Sequence, residues 1–228
     1  MIDLGKHAGV LEFSGPDAVR FLNGQVTQDV RKVLGSEEVL PSCVTDAKGK
    51  LMFRVWLAEG KLEGSVLVFC REGMLDDLEA RLTRYLIADD VEVRDVSAEV
   101  SVDDFNFPYG DLDEAERITR GIPKWGAELT EGMLPPEAGL DATDISYTKG
   151  CYIGQEVISR IKSAGKVNRY LTKFSFDDEA ELGEIINPSG KVCGGITSVS
   201  GNLGLGFLKR SAVDETELSV NGKRITLR

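Results

Sequence analysis

The stretch from 167 to 228 admits few folds. It reads as a series of short apolar runs: Val167 to Phe176, Gly183 to Ile186, Lys191 to Ser198, Leu203 to Leu208, then Leu218-Ser219-Val220 and Arg224-Ile225-Thr226-Leu227 on either side of Asn221-Gly222. Asn-Gly suits the positive φ values of a two-residue hairpin turn, so the last two runs pair as neighbours. Short strands at this spacing, with no helical pattern between them, predict a small C-terminal β-barrel or sandwich.

The chain before it is mixed. Val10-Leu11-Glu12-Phe13 alternates as a strand, and Gly15-Pro16 places proline at a first helical position ahead of Ala18-Val19-Arg20-Phe21-Leu22, with Asn23-Gly24 as the stop. From Pro41 to Phe69 the pattern is a β-meander: Ser42 to Thr45, a turn at Asp46-Ala47-Lys48-Gly49-Lys50, Leu51 to Leu57, a turn around Gly60 and Gly64, and Ser65 to Phe69. Met74, Leu75, Leu78, Leu82, Tyr85 and Leu86 recur at helical spacing before a strand at Val91-Glu92-Val93. Ser97 to Asp113 lacks periodic apolar signal and reads as a connector. Glu114 to Thr119 is a short helix stopped by Gly121-Ile122-Pro123, and Met133 to Leu140 is a turn-rich loop. From Gly150 onward, Ile153, Val157, Ile158 and Ile161 fit one face of a helix. The fold class expected is α+β, with a first domain over 1–166 and a barrel domain over 167–228.

Charge and composition limit the partners. The 228 residues are 42% hydrophobic and 29% charged, a profile that supports a buried core, and none of the apolar runs approaches the ~20 residues of a membrane span. Met1-Ile2-Asp3-Leu4-Gly5-Lys6 lacks the basic-then-apolar order of a secretory signal, so a cytoplasmic location is expected. A net charge of −11 argues against nonspecific nucleic-acid binding. Val157 to Phe176 is the exception, holding Arg160, Lys162, Lys166, Arg169 and Lys173 with no acid. It is either a local anion site or a solvated cationic face balancing Asp177, Asp178 and Glu179. Cys43, Cys70, Cys151 and Cys193 form no C-x-x-C pair and His7 is the one histidine, so no local zinc site, dithiol motif or histidine-rich metal centre is expected.

One octet stands apart: Lys149-Gly150-Cys151-Tyr152-Ile153-Gly154-Gln155-Glu156. It places a thiol after a glycine at the expected start of a helix, two residues from a lysine. Free backbone N–H groups and a cation would both favour the thiolate, although most free cysteines are simply small buried hydrophobes. Gly150 and Gly154 permit close backbone approach to a ligand, and Gln155 and Glu156 supply a polar edge.

This octet, continuing through Val157-Ile158-Ser159-Arg160, resembles the K-G-C-[FY]-x-G-Q-E signature of the YgfZ family, folate-binding relatives of the glycine-cleavage T-protein. Phe21-Leu22-Asn23-Gly24-Gln25-Val26-Thr27-Gln28-Asp29-Val30 resembles the family's F-L-x-G-Q-x-T-x-D-V, and Asp46-Ala47-Lys48-Gly49-Lys50 its D-x-K-G-R turn. Arg117-Ile118-Thr119-Arg120-Gly121-Ile122-Pro123 and Leu134 to Leu140 are similar to its R-I-x-x-G-I-P and P-x-E-x-x-L segments. The resemblance implies mixed α/β lobes around a central folate cleft with a C-terminal β-barrel. It also implies a role in iron–sulfur cluster assembly or repair, which supports cluster-dependent enzymes including tRNA-modifying ones. Cys151 is then the distinctive functional residue, with Lys149 beside it. Gly150, Tyr152, Gly154, Gln155 and Glu156 would face tetrahydrofolate, Phe53, Trp56, Tyr109 and Trp125 would offer its pterin a slot, and Arg117, Arg160 and Lys162 would meet its glutamate tail. Iron–sulfur assembly proteins or client enzymes are the implied partners, and any cluster would be held transiently or between subunits, because the motif supplies one thiol.

Two departures matter. Gly49-Lys50-Leu51-Met52-Phe53-Arg54 has no carboxylate where T-proteins carry an essential aspartate, which disfavours aminomethyl transfer, and Thr119 replaces a glutamate two residues after Arg117, which weakens one expected folate contact. The chain is also shorter than its relatives, the missing material falling between Val96 and Glu114. A tetrahydrofolate-dependent one-carbon transferase and a folate-free docking module are the alternatives.

Overall fold

The computed structural model describes residues 4–5, 7–110, 112–165 and 167–228. Lys166 of the cationic stretch and Asp111 of the connector lie outside the described residues, as do Met1, Ile2, Asp3 and Lys6. The chain forms two compact units that do not divide at 166. One comprises 1–111 and 140–160, the other 112–139 and 161–228.

The first unit is built on an antiparallel five-stranded sheet in the order β2-β3-β4-β1-β5. Its strands are β1 (Gly9–Ser14), β2 (Leu40–Thr45), β3 (Leu51–Glu59), β4 (Val66–Cys70) and β5 (Glu92–Asp95). α1 (Ala18–Gln25) and α2 (Leu75–Thr83) contribute Ala18, Phe21, Leu22, Leu78 and Leu82 to a core with Phe13, Phe53, Val55, Leu57 and Val68. The expected helix and meander are present. α1 runs through Asn23-Gly24 to Gln25, because its backbone bonding continues as far as the Val26 N–H, which donates to the Leu22 carbonyl.

Successive side chains of a strand alternate in direction, so β3 also has a second face. Trp56 and Ala58 join Val10, Leu67 and Phe69 there, and Phe105 and Phe107 cover them. Phe69 meets Phe105 and Phe107 edge-on, with ring centroids 5.0 and 5.1 Å away. The stretch expected as a bare connector thus supplies the lid of a core. Its two phenylalanines are too few to show a period, and they act through aromatic packing rather than through a helix or strand of their own.

Burial on both faces makes β3 a nearly continuous apolar run, interrupted at Arg54. The Arg54 guanidinium bonds the Asp144 carboxylate at 2.7 and 3.3 Å, with side chains 3% and 0% exposed, and lies over the Trp56 ring at 5.3 Å. A buried arginine needs such a partner.

The second unit contains α3 (Glu114–Arg120) and a closed barrel in the order β10-β11-β6-β9-β8-β7. The barrel strands are β6 (Arg169–Phe176), β7 (Gly183–Ile186), β8 (Val192–Ser200), β9 (Leu203–Lys209), β10 (Leu218–Val220) and β11 (Lys223–Leu227). The hairpin expected at Asn221-Gly222 is present, with Asn221 at φ 49° and Gly222 at φ 82°. Phe174, Phe176, Ile185, Ile196, Leu208 and Ile225 fill the interior. The segment 112–139 is tied to the barrel in part through one buried carboxylate. Glu128 accepts from Arg117 Nη1, the Lys124 N–H, Thr197 Oγ1 and Ser198 Oγ at 2.6 to 3.1 Å. α4 (Gln155–Ala164) spans the division of the chain. Among the described residues, no helix is long and apolar enough to cross a membrane.

Candidate functional site

Three sequence motifs of the first unit converge on one turn. The ammonium of Lys149 donates to the carbonyls of Asn23, Val26 and Gln28 at 2.6, 2.8 and 2.7 Å. These belong to the end of α1 and the polar segment after it, where no helical partner takes their place. The Ile153 N–H donates to the Gly24 carbonyl at 3.2 Å, and Thr45 Oγ1 donates to the Ile153 carbonyl at 2.6 Å. Asp46 closes its own turn, accepting from the Lys48 and Lys50 N–H groups at 2.8 Å, and Gly49 packs against Gly154. Gly154 has φ +86°, and a Cβ on it would lie 2.5 Å from the Asp46 carbonyl oxygen. Glycine is required there both for the left-handed backbone and for the close approach.

Cys151 is exposed on this turn. It does not open the helix, which begins four residues later at Gln155. Lys149 does not face it either. The lysine is 6% exposed, its three donors are spent on backbone, and its ammonium lies 5.3 Å from the Tyr152 ring. Burial lowers the Lys149 pKa to about 7 and Asp29 works against that shift, while the three carbonyl acceptors favour the protonated form. Both expectations about the thiol's surroundings are therefore corrected: Gly154, at φ +86°, delays the helix to Gln155, and the long Lys149 side chain turns inward to backbone carbonyls left open by a helix end instead of meeting the solvent-facing sulfur.

The other site residues scatter in environment. Gly150 and Glu156 are exposed and Gln155 is half-buried at the start of α4. Arg160 is exposed near the helix end and has an interaction of its own. Tyr152 is buried, 7% exposed, and its hydroxyl has no hydrogen-bond partner among the described residues. Phe53 and Trp56 are core residues on opposite faces of β3, so neither offers a pterin a slot. Arg117 and Trp125 belong to the second unit. Arg117 is 1% exposed, bonds Glu114 and Glu128 and donates to the Ile122 carbonyl, so its expected role toward a glutamate tail is replaced by a structural one. Toward folate, the fit is therefore partial. The orphan hydroxyl of Tyr152 suits a polar ligand, whereas Phe53, Trp56 and Arg117 are engaged elsewhere. Among the described residues, no group of three or more histidine, cysteine or acidic side chains is placed to hold a metal ion.

Sequence reasoning missed Thr45, although it directly precedes the quoted turn, and it missed Asp144. The signal for Asp144 was the lone arginine in Leu51-Met52-Phe53-Arg54-Val55-Trp56, which requires an acid from elsewhere in the chain.

The chain is similar to several known proteins. A family profile described as the C-terminal β-barrel domain of CAF17 matches residues 169–228. The tRNA-modifying protein YgfZ of Colwellia psychrerythraea is 25% identical over 254 residues, covering 81% of this chain and 77% of that protein. The mitochondrial iron–sulfur cluster assembly factor IBA57 homolog of Phaeosphaeria nodorum is 31% identical over 133 residues, covering 57% of this chain and 31% of that protein. The crystal structure of the glycine cleavage system aminomethyltransferase T from Bartonella henselae superposes with a TM-score of 0.80 over 97% of this chain and 83% of that one, at 14% identity. The chain has the T-protein fold, and its sequence is similar to YgfZ and IBA57 proteins. The chain spans about a quarter to a third of the length of several relatives it matches, 24% of a putative chloroplastic transferase of Arabidopsis thaliana and 31% of the Phaeosphaeria nodorum protein.

Proposed function

We propose that this chain is a YgfZ-family accessory factor for the assembly or repair of iron–sulfur clusters, with Cys151 as the thiol that carries the chemistry. Through those clusters it supports enzymes that depend on them, tRNA-modifying ones included. The observation that carries the reading is the exposed Cys151 on a turn where the family motifs converge. A thiolate is the usual ligand of iron in such clusters, and one thiolate does not complete a cluster's coordination. The cluster is therefore cargo, engaged together with thiolates of a client, of an assembly protein or of a second copy. The names of the YgfZ and IBA57 relatives support the same role. Its test is depletion of the chain from cells. Iron–sulfur enzymes should lose activity while cluster-free enzymes keep theirs, and equal retention by both classes would refute the role.

Tetrahydrofolate is the narrower part of the reading. The family and fold are associated with it, and in this chain Gly150, Tyr152, Gly154, Gln155, Glu156 and Arg160 are the residues left to meet it. Calorimetric titration of the purified chain with tetrahydrofolate, wild type beside Gln155→Ala, should show binding that the substitution weakens. No binding would favour the docking-module alternative. An aminomethyl-transferase reading gains nothing from the geometry, because the carboxylate brought to β3, Asp144, is neutralised by Arg54.

A further inference from the structure

Cys151 lies on an arc whose two ends are tied to the first unit by different groups. Before the thiol, the Lys149 ammonium holds the Asn23, Val26 and Gln28 carbonyls. After it, Thr45 Oγ1 holds the Ile153 carbonyl at 2.6 Å, and the Ile153 N–H holds Gly24. Thr45 is fully buried at the end of β2. Its own carbonyl accepts from Arg81 Nη2 at 2.8 Å, and Arg81 Nη1 donates to Gln25 at 3.1 Å, so the tie continues into α2 and α1. Between the two ties are Gly150, Cys151 and Tyr152. Nothing lies within 4 Å of where a Cβ on Gly150 would be, and of the three residues only Tyr152 is buried.

We infer that Thr45 is a positioning residue for Cys151: with Lys149 it pins the turn at both ends, so that the thiol is presented in one fixed place. The inference rests on the proposed role of Cys151 and adds to it the means of presentation. A sulfur that must meet iron alongside thiolates from another protein has little tolerance in position, since displacements of about 1 Å commonly cost on the order of a hundredfold in rate. Reaction with a small reagent has no such demand. The two kinds of reactivity therefore separate when the pin is loosened.

The experiment uses the full chain carrying Thr45→Val, which keeps the shape and removes the donor, and Thr45→Ser, which keeps the donor. Lys149→Met releases the other end. Three quantities are read: amide exchange at Ile153 and Gln155, the rate of Cys151 alkylation by iodoacetamide, and the activity of an iron–sulfur dehydratase in cells whose own copy is replaced. Thr45→Val should speed Ile153 exchange about fivefold, the worth of one hydrogen bond. It should leave alkylation within about twofold and lower dehydratase activity severalfold, with Thr45→Ser restoring both exchange and activity. Lys149→Met should speed exchange further. Unchanged Ile153 exchange in Thr45→Val overturns the pin. Faster exchange with undiminished dehydratase activity overturns the positioning role, and undiminished activity in Cys151→Ser as well traces that failure to the reading of the thiol.

Discussion

Cys151 meets solvent while Cys43, Cys70 and Cys193 are buried. Burial pushes the Cys43 thiol up and the Cys70 thiol up to about 12, so neither forms a thiolate near neutrality. Native protein treated with an alkylating reagent at neutral pH should be labelled at Cys151 alone, with the other three reacting after denaturation; peptide mass mapping reads the difference. Tyr152 carries a second prediction. A buried hydroxyl without a partner costs about 1 to 3 kcal/mol, so Tyr152→Phe should leave the protein as stable as wild type or more stable by about 1 kcal/mol in denaturant titration. A clear loss would show that a bound molecule satisfies the hydroxyl. At this scale the motif was legible in the sequence and its geometry was not. Lys149 stands two residues from Cys151 in the chain, yet its ammonium lies among carbonyls contributed by residues more than 120 positions earlier.

Among the elements, β3 concentrates the most information. Period-2 alternation sends Phe53, Val55 and Leu57 into one core and Trp56 and Ala58 into another, while Arg54 interrupts the second face and draws in Asp144. Breaking this pair from one side leaves a bare buried charge. Arg54→Met should destabilise the chain by about 3 to 5 kcal/mol, and adding Asp144→Leu should recover much of that loss in urea unfolding. A single replacement as mild as the double one would mean that the ion pair is solvated. Strands and barrel hairpins were readable because alternation and Asn-Gly turns are local signals. Asp144 was not readable, since the pairing of Arg54 with a residue 90 positions away depends on how the segment 140–147 returns to the sheet. The start of α4 at Gln155 was obscured for a similar reason. Gly154, at φ +86°, holds residues 149–154 in a non-helical turn although Ile153, Val157 and Ile158 keep helical spacing across it.

For the whole molecule, the barrel foreseen from short strands is present as a closed six-stranded structure, and the α+β sheet precedes it. The division between them was less legible. Residues 112–139 carry a helix and turns that read as part of the first domain, but Glu128 bonds Thr197 and Ser198 of β8, and that contact is invisible to composition or periodicity. A net charge of −11 disfavours polyanions, and the proposed function assigns the exposed thiol to protein partners that bring thiolates and iron. The central claim is that this thiol carries the function. Its most direct test replaces the chain in cells with Cys151→Ser or Cys193→Ser and compares iron–sulfur dehydratase activity. The Cys151 variant should fall to the level of cells without the protein, while the Cys193 variant stays near wild type; full activity with Cys151→Ser would contradict the account.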